Sequence, residues 1–245
     1  MINDEYIKLP RLYVDEELKD NALIPLATEQ AHYLKNVLRQ KIGDSIRIFN
    51  GRDGEWHACL QDIGKKSVTI QITARLKEQP PPPAPLILAF APVKKARLDF
   101  LIEKATEIGV TALQPVLTRY TENRKLNMDR VRRQITEAAE QCERLDIPVL
   151  QDAYSLDEFL AYADKDHPVL ACIERQDAPP ISDVADHGAT TLLVGSEGGF
   201  SPEEKEDILA RQTIKPVRLG PHILRAETAC LYALTSIIEK RSQNT

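Results

Sequence analysis

The sequence has no apolar run approaching the ~20 residues that a membrane-spanning helix needs. Its first ten residues, MINDEYIKLP, lack the apolar core of a secretory signal peptide. We therefore expect a cytoplasmic protein without a membrane segment. Of the 245 residues, 42% are hydrophobic and 28% are charged, which is typical of a soluble globular protein with one large domain or two small ones.

Cysteine is scarce and scattered. Cys59, Cys142, Cys172 and Cys230 lie far apart, and none has a metal-ligand spacing with a histidine. This pattern argues against a structural zinc site, any other metal site and a disulfide framework. We expect four small side chains that are buried or half-buried.

The net charge of -5 argues against indiscriminate binding to nucleic acid, but the charges are unevenly distributed. Residues 79–133 carry 10 basic and 5 acidic side chains, and residues 209–245 carry 6 basic and 2 acidic ones. Residues 134–208 carry 4 basic and 18 acidic side chains. The basic segments could face a polyanion while the acidic segment faces water, or all of them could be ordinary solvated surface.

A proline-rich segment, EQPPPPAPL at 78–86, divides the sequence. Prolines lack a backbone donor and favour an extended, semi-rigid chain, which suits a linker. We therefore predict an N-terminal domain over residues 1–78, a linker over 79–85 and a C-terminal domain over 86–245.

The N-terminal part is predicted to be rich in β-structure. A helical pattern over residues 28–40 is followed by segments with alternating apolar and polar residues at 44–50, 55–63 and 67–76. Turn-forming sequences separate these segments. The pattern predicts a small barrel or bent sheet with one helix.

The C-terminal part is predicted to be an α/β domain. Short runs rich in Val, Leu and Ile alternate with helical segments, which indicates a mainly parallel sheet covered on both faces. Ser201, Pro202 and Glu204 form the pattern of a capped helix start, and Gly109 is placed to end a helix. Ligands in such folds usually bind outside the carboxyl ends of the strands.

Two loops follow predicted strands, GSEGGF at 195–200 and GPHILRAET at 220–228. The glycines of the first loop permit close approach of a ligand to the main chain, although a tight turn alone would also need them. Neither a GxGxxG fingerprint nor a phosphate-binding loop with its lysine is present. The carboxylate of Glu197 would suit a ligand with hydroxyls or positive charge, such as a ribose or a sulfonium.

The second loop carries Arg225 and Glu227 where a helix is predicted to begin. The N–H groups and partial positive charge of a helix N-terminus favour anions there. Glu227 could equally be a partner of the helix dipole, with Arg225 as its surface neighbour. These residues by themselves indicate a small-molecule site in an α/β domain.

The two motifs together, LLVGSEGGFSPEE at 192–204 and LGPHILRAETA at 219–229, resemble the bacterial 16S rRNA (uracil-N3)-methyltransferase family, also called ribosomal RNA small subunit methyltransferase E. That family belongs to the SPOUT superfamily. The segments PRLYV at 10–14, HYLKNVLRQKIGD at 32–44 and APVKKARLDFLIEKATEIGV at 91–110 resemble it too, so the similarity covers nearly the whole chain.

The resemblance implies a SPOUT-type α/β domain with a deep trefoil knot and a PUA-like β-barrel domain that helps to hold RNA. It implies methylation of N3 of a uridine in 16S rRNA, on the 30S subunit, by a homodimer that uses S-adenosylmethionine. The loop at 220–228 would be the knot crossing. By position, the residues expected around the cofactor are Val194, Gly195, Ser196, Glu197, Gly198, Gly199, Leu219, Gly220, Ile223, Leu224 and Arg225.

The same comparison by position gives candidates for RNA contact and for catalysis. Phosphate contacts are expected from basic side chains. Arg225 would stabilise the negative charge that develops on the uracil as N3 loses its proton, and Glu227 would orient Arg225 or take that proton. The candidates for RNA contact are Arg11, Arg39, Lys94, Lys95, Arg97 and His222, where His222 replaces the arginine usual in the family.

Two other functions remain open from the sequence. A related SPOUT enzyme would transfer the methyl group to a ribose 2′-hydroxyl or to another base of rRNA or tRNA. A non-catalytic RNA-binding assembly factor would keep the fold without binding S-adenosylmethionine.

Overall fold

The computed structural model describes residues 4–65, 67–163, 168–185 and 188–243. The chain forms two compact units. Unit 1 comprises Met1–Pro82 and Ala139–Ile147, and unit 2 comprises Pro83–Ala138 and Pro148–Thr245. Residues 139–147, which the predicted ranges place in the C-terminal domain, therefore cluster with the N-terminal unit.

Unit 1 is built on one five-stranded sheet in the order β1-β3-β4-β5-β2. Strands β1 and β3 pair in parallel and the other neighbours are antiparallel. Shifts of register between β4 and β5 mark bulges, which bend and twist a sheet. The strands are β1 (Arg11–Tyr13), β2 (Leu23–Pro25), β3 (Ser45–Phe49), β4 (Glu55–Ile63) and β5 (Val68–Lys77).

The helices of unit 1 are short. Helix α1 (Asp4–Ile7) precedes β1, and α2 (Thr28–His32) continues into one π-helical turn over Tyr33–Val37. The helix predicted over 28–40 ends before Arg39, whose φ of 56° is left-handed and cannot continue a right-handed helix. Leu34 at its centre is fully buried against the sheet's apolar face.

A buried ion cluster lies inside unit 1. Glu55 is fully buried, and its Oε1 atom lies 2.5 Å from Nε of Arg11 and 3.7 Å from Nη1 of Arg47. Arg47 also pairs with Glu143 at 2.6 Å, which ties the segment 139–147 to the sheet. The hydrogen bond from Arg47 lowers the pKa of the Glu143 carboxyl. Lys77 lies 3.5 Å from the second oxygen of Glu55.

Arg11 is a structural residue, which corrects its expected role as an RNA contact. It is only 7% exposed. Besides Glu55, its guanidinium donates hydrogen bonds to the carbonyl oxygens of Ala139, Glu140 and Arg144. Four of its five N–H groups are thus used inside the unit, and burial lowers its pKa. An arginine enclosed in this way has no accessible face for a phosphate.

Unit 2 contains a parallel sheet in the order β12-β10-β11-β6-β7-β8, with β9 paired to β7. All of these pairings are parallel, so the predicted α/β architecture with a mainly parallel sheet is confirmed. Its strands are β6 (Leu86–Phe90), β7 (Ala112–Leu117), β8 (Val149–Leu150), β9 (Tyr154–Ser155), β10 (Val169–Cys172), β11 (Thr190–Val194) and β12 (Ile214–Val217).

Helices follow most of these strands: α3 (Lys95–Ile108), α4 (Met128–Gln141), α5 (Leu156–Tyr162), α6 (Ile181–Val184), α7 (Pro202–Leu209) and α8 (Ala226–Ser242). Ser201 caps α7, with Pro202 at the first helical position and Glu204 completing the capping box, as predicted. Gly109 ends α3 with a φ of 115°, also as predicted.

The register of the sheet brings three strand ends together. Cys172, the last residue of β10, is level with Val194 at the end of β11 and with Val217 at the end of β12. The loops that leave these strands therefore emerge side by side at one edge of unit 2. Within the described residues, no helix is long and apolar enough to cross a membrane.

Candidate functional site

A cavity of about 280 Å³ lies where the loops after β10, β11 and β12 meet. It is the kind of crevice in which open α/β sheets bind ligands. It brings together the predicted cofactor residues from both glycine-containing loops. Those that line it are Val194, Gly195, Ser196, Gly198, Gly199, Leu219, Gly220, Ile223 and Leu224.

Glycine is required in the first loop for two reasons. The loop closes on itself through a hydrogen bond from the Gly199 N–H to the Ser196 carbonyl at 2.8 Å, and Gly199 has a φ of 70° that favours glycine. A Cβ atom on Gly195 would lie 3.1 Å from the Phe200 ring. Any side chain at Gly195 would therefore require the Phe200 ring or the Gly199 backbone to shift.

The loop after β10 supplies a third wall that the sequence did not reveal. Ile173, Glu174, Arg175 and Gln176 line the cavity together with Cys172. Their position at the end of β10 and directly after it was the available signal, because neighbouring parallel strands end at the same edge. Glu174 is exposed and is the carboxylate residue among those that line the cavity.

Glu197 and Arg225 do not line the cavity. The carboxylate of Glu197 contacts the guanidinium of Arg97 at the N-terminal end of α3. Arg97 is also 3.6 Å from Oε1 of Glu227 on α8, measured from Nε. Arg97 thus joins a carboxylate from the loop at 195–200, which we call the glycine loop, to a carboxylate from the first turn of α8. Arg97 was expected to face RNA, but its guanidinium is already paired.

Glu227 is only 8% exposed, and its Oε2 atom is buried without a hydrogen-bond partner. The predicted pairing of Glu227 with Arg225 is wrong, because Arg97 occupies that place. Arg225 is the N-cap residue of α8, with an extended backbone and an exposed side chain. Within the described residues, it makes no ion pair.

The other basic candidates lie on the surface. Arg39 in unit 1 is exposed, as are Lys94 and Lys95 at the start of α3 in unit 2. Lys94 pairs with Glu122 at 3.2 Å, and both side chains remain mostly exposed. His222 is exposed and lines the cavity, so the structure places it with the cofactor candidates.

The cysteines near the cavity are poor ligands and poor nucleophiles. Burial raises the pKa of the Cys172 thiol to about 12 and that of Cys230 well above its usual value. Both therefore stay protonated at neutral pH. Among the described residues, no group of three or more His, Cys, Asp or Glu side chains is arranged to hold a metal ion.

Known proteins resemble the chain over nearly its whole length. Residues 80–238 match the model of an RNA methyltransferase domain. Residues 26–73 match that of an RNA methyltransferase PUA domain. Ribosomal RNA small subunit methyltransferase E of Rickettsia conorii is 35% identical over 239 residues, which cover 94% of this chain and 96% of the relative. The chain belongs to the ribosomal RNA small subunit methyltransferase E family.

Solved structures agree with this membership. Ribosomal RNA small subunit methyltransferase E from Neisseria gonorrhoeae, bound to S-adenosylmethionine, superposes with a TM-score of 0.84 at 27% identity, covering 94% of this chain and 96% of that one. A methyltransferase from Legionella pneumophila, in complex with the same cofactor, gives a TM-score of 0.85 at 29% identity, covering 94% and 97%. Both of these solved structures, which share this chain's fold, thus contain bound S-adenosylmethionine.

The family relationship gives unit 1 its identity as a PUA-type unit, since the matched residues 26–73 span α2, β3, β4 and the first part of β5. The matched methyltransferase domain spans all of the strands of the parallel sheet. The cavity at the ends of β10, β11 and β12 therefore lies in the catalytic domain of this family.

Proposed function

We propose that the chain transfers a methyl group from S-adenosylmethionine to N3 of a uridine in 16S rRNA, forming 3-methyluridine on the assembled 30S subunit. The observation that carries this proposal is the shared cavity. In a chain of this family, the loops after β11 and β12 close around one space of about 280 Å³. The methyltransferase relatives named for the small subunit rRNA support the choice of RNA.

The residues that line the cavity fit the cofactor. Val194, Leu219, Ile223 and Leu224 offer apolar walls for an adenine ring, while the glycine backbone allows close polar contacts. The carboxylate placed to meet ribose hydroxyls or the sulfonium is Glu174 rather than Glu197, because Glu197 is held by Arg97. When bound, S-adenosylmethionine supplies a methyl group already activated by its sulfonium.

The protein's remaining task is to activate the acceptor. N3 of uridine carries a proton at neutral pH, so the enzyme must favour the N3 anion with positive charge near O2 or O4. Arg225 is exposed beside the cavity loop and carries a cation that no described carboxylate neutralises. We assign it this role, and water can receive the proton.

Glu227 acts through Arg97 in this mechanism. Its Oε2 atom is buried and Glu227 is not among the residues that line the cavity, so we do not assign it the N3 proton. It positions the Arg97 guanidinium, which in turn holds Glu197 and the glycine loop. The ordered loop then holds the cofactor in place, and correct positioning contributes much of the acceleration in such reactions.

Contacts with the rRNA backbone are assigned to exposed basic residues. Arg39 of the PUA-type unit, Lys95 at the start of α3, and His222 at the cavity all face solvent. Phosphate contacts of this kind fix the orientation of the RNA without reading its sequence.

The remaining parts of the proposal follow the family. The segment 220–228 crosses as a deep trefoil knot in the SPOUT manner, and the enzyme works as a cytoplasmic homodimer. The exposed apolar side chains of Phe100, Ile223 and Tyr232 in unit 2 support a subunit interface.

The test is methylation of 30S particles from a strain that lacks the modification. The purified protein and labelled S-adenosylmethionine should yield 3-methyluridine in 16S rRNA, identified by nucleoside mass spectrometry. A 2′-O-methyl nucleoside or another methylated base instead would replace the proposal with that of a related SPOUT enzyme. Absence of both methylation and S-adenosylmethionine binding would favour a non-catalytic assembly factor.

A further inference from the structure

A second cavity of about 290 Å³ adjoins the first in unit 2. We call it the Tyr120 pocket, and it is lined by Val93, Lys94, Tyr120, Glu122, Glu197 and Gly198, among others. Ser196 and Gly198 line both cavities, so the glycine loop forms a shared wall. A group in the Tyr120 pocket would therefore be a direct neighbour of a group in the first cavity.

We propose that the Tyr120 pocket receives the unstacked acceptor base of the RNA, with the ring of Tyr120 as its stacking platform and Lys94 at its polar edge. This inference rests on the proposed methyl transfer to RNA. Transfer requires the two reacting atoms to come within about 3–3.5 Å of each other, so the acceptor must enter a space next to the cofactor.

The Tyr120 ring has the properties that stacking requires. Tyr120 lies in the loop between β7 and α4, beside Gly198 of the glycine loop, and it is 46% exposed. The glycine loop fixes one side of the residue, because a Cβ atom on Gly198 would lie 3.2 Å from Cβ and 3.4 Å from Cγ of Tyr120. An exposed, positioned aromatic ring stacks an extruded base of RNA without reading its sequence.

The polar groups of the pocket complement a pyrimidine edge. The Lys94 ammonium can donate to a carbonyl oxygen and offset negative charge, and it is held near the pocket by Glu122 at 3.2 Å. Glu197 reaches the same pocket but is neutralised by Arg97. A base with two carbonyl oxygens flanking a nitrogen fits this arrangement of one lysine ammonium, positioned by Glu122, and one aromatic face.

The test compares three variants in the full-length enzyme with 30S particles. Tyr120→Ala removes the ring, Tyr120→Phe keeps it, and Tyr162→Ala removes another exposed tyrosine of unit 2 outside both cavities. We expect Tyr120→Ala to lower kcat/KM roughly 10-fold or more. Tyr120→Phe and Tyr162→Ala should stay near wild type, and S-adenosylhomocysteine should bind all of them equally in calorimetry.

Two results would overturn the proposal. One is an unchanged kcat/KM in Tyr120→Ala. The other is a parallel loss of S-adenosylhomocysteine affinity, which would mean that the ring only supports the glycine loop through Gly198. Thermal melts of the variants separate either result from a folding defect.

A second measurement does not depend on turnover. A uridine hexanucleotide carrying 5-iodouridine should photocrosslink to the peptide containing Tyr120 in wild type and lose that crosslink in Tyr120→Ala. Crosslinks that form only at other peptides, and equally in wild type and Tyr120→Ala, would contradict the proposed role of the Tyr120 pocket. If wild type methylates another nucleoside, the function proposed above fails, while the same variants assayed on that RNA still decide whether Tyr120 holds the acceptor.

Discussion

Nε of Arg97 lies 3.6 Å from Oε1 of Glu227, and the same guanidinium contacts Glu197. A residue of α3, a residue of the glycine loop and a residue of α8 are therefore joined by one cation. Helices α3 and α8 pack against each other, so this contact has a rigid support. The arrangement couples the loop that lines the cavity to the start of the last helix.

The first prediction concerns this coupling. Glu227→Gln and Arg97→Gln should each lower kcat roughly 10-fold, because each loosens the loop. The double variant should be little worse than either single one, with a coupling free energy of about 1 kcal/mol or more. Steady-state methylation of 30S particles measures it.

A pH profile distinguishes positioning from proton transfer at Glu227. If Glu227 only positions Arg97, kcat/KM of Glu227→Gln should be lowered by the same factor at every pH from 6 to 9. The loss of one limb of the profile in this variant would show that the carboxylate takes the proton instead.

The second prediction concerns the buried ion cluster of unit 1. Glu55→Gln would leave Arg11 and Arg47 buried without their shared carboxylate. Removing one partner of a buried ion pair costs about 3–5 kcal/mol. Urea denaturation followed by circular dichroism should show a loss in the free energy of unfolding of that size.

Glu17→Gln is the matched control for this measurement. Glu17 also belongs to unit 1 and pairs with Lys19 at 3.2 Å, but its side chain is 73% exposed. Exposed pairs contribute about 0–1 kcal/mol, so this variant should unfold almost as wild type does. Equal effects of the two substitutions would contradict the structural role of the cluster.

The third prediction concerns Gly195. An alanine there would press against the Phe200 ring at 3.1 Å and against the carbonyl carbon of Gly199 at 3.2 Å. Gly195→Ala should therefore displace the loop and weaken S-adenosylhomocysteine binding roughly 10-fold or more, as measured by calorimetry.

Gly109→Ala provides the comparison. Gly109 has a φ of 115°, so alanine strains the backbone there and costs about 1–2 kcal/mol of stability. It lies at the end of α3, outside the cavity, so cofactor affinity should be unchanged. An affinity loss in Gly109→Ala as large as that in Gly195→Ala would mean that general destabilisation, and not loop geometry, weakens binding.

The fourth prediction concerns the pH dependence of thiol reactivity. Burial raises the pKa of Cys172 to about 12, so the reactive thiolate is a minor species throughout the neutral range. Because the neutral form of a thiol with a raised pKa persists to higher pH, the alkylation rate of Cys172 should keep rising about tenfold per pH unit from pH 7 to 9.5.

Iodoacetamide labelling followed by peptide mass spectrometry measures this rate for each cysteine. Since Cys172 lines the cavity, saturating S-adenosylhomocysteine should slow its labelling further while leaving that of Cys59 in unit 1 unchanged. A rate at Cys172 that levels off below pH 9 would show that its surroundings are less apolar than the structure indicates.

Local sequence signals predicted most of the secondary structure. The strand over 55–63 and the capped helix start at Ser201 agree with the structure because alternation and capping are determined by neighbouring residues. The two glycine-containing loops were found for the same reason. Their meeting at one cavity depends on the strand order β12-β10-β11; the strand pattern indicated a parallel sheet but not this order.

Pairings between distant residues could not be predicted in this way. Arg97 and Glu197 are 100 positions apart, so no local pattern connects them, whereas the arginine expected beside Glu227, Arg225, is its neighbour in sequence. The burial of Arg11 depends on carbonyl groups more than 120 positions away. A basic side chain near a chain terminus has the same sequence signature whether it binds RNA or fills an interior.

The discontinuity of unit 1 has a consequence for synthesis on the ribosome. The carbonyl groups that receive the Arg11 hydrogen bonds come from Ala139, Glu140 and Arg144, and the carboxylate that meets Arg47 belongs to Glu143. When residue 82 leaves the exit tunnel, two buried arginines still lack these partners. Unit 1 therefore completes its buried ion pairs and hydrogen bonds only after the first strands and helices of the catalytic domain have been translated.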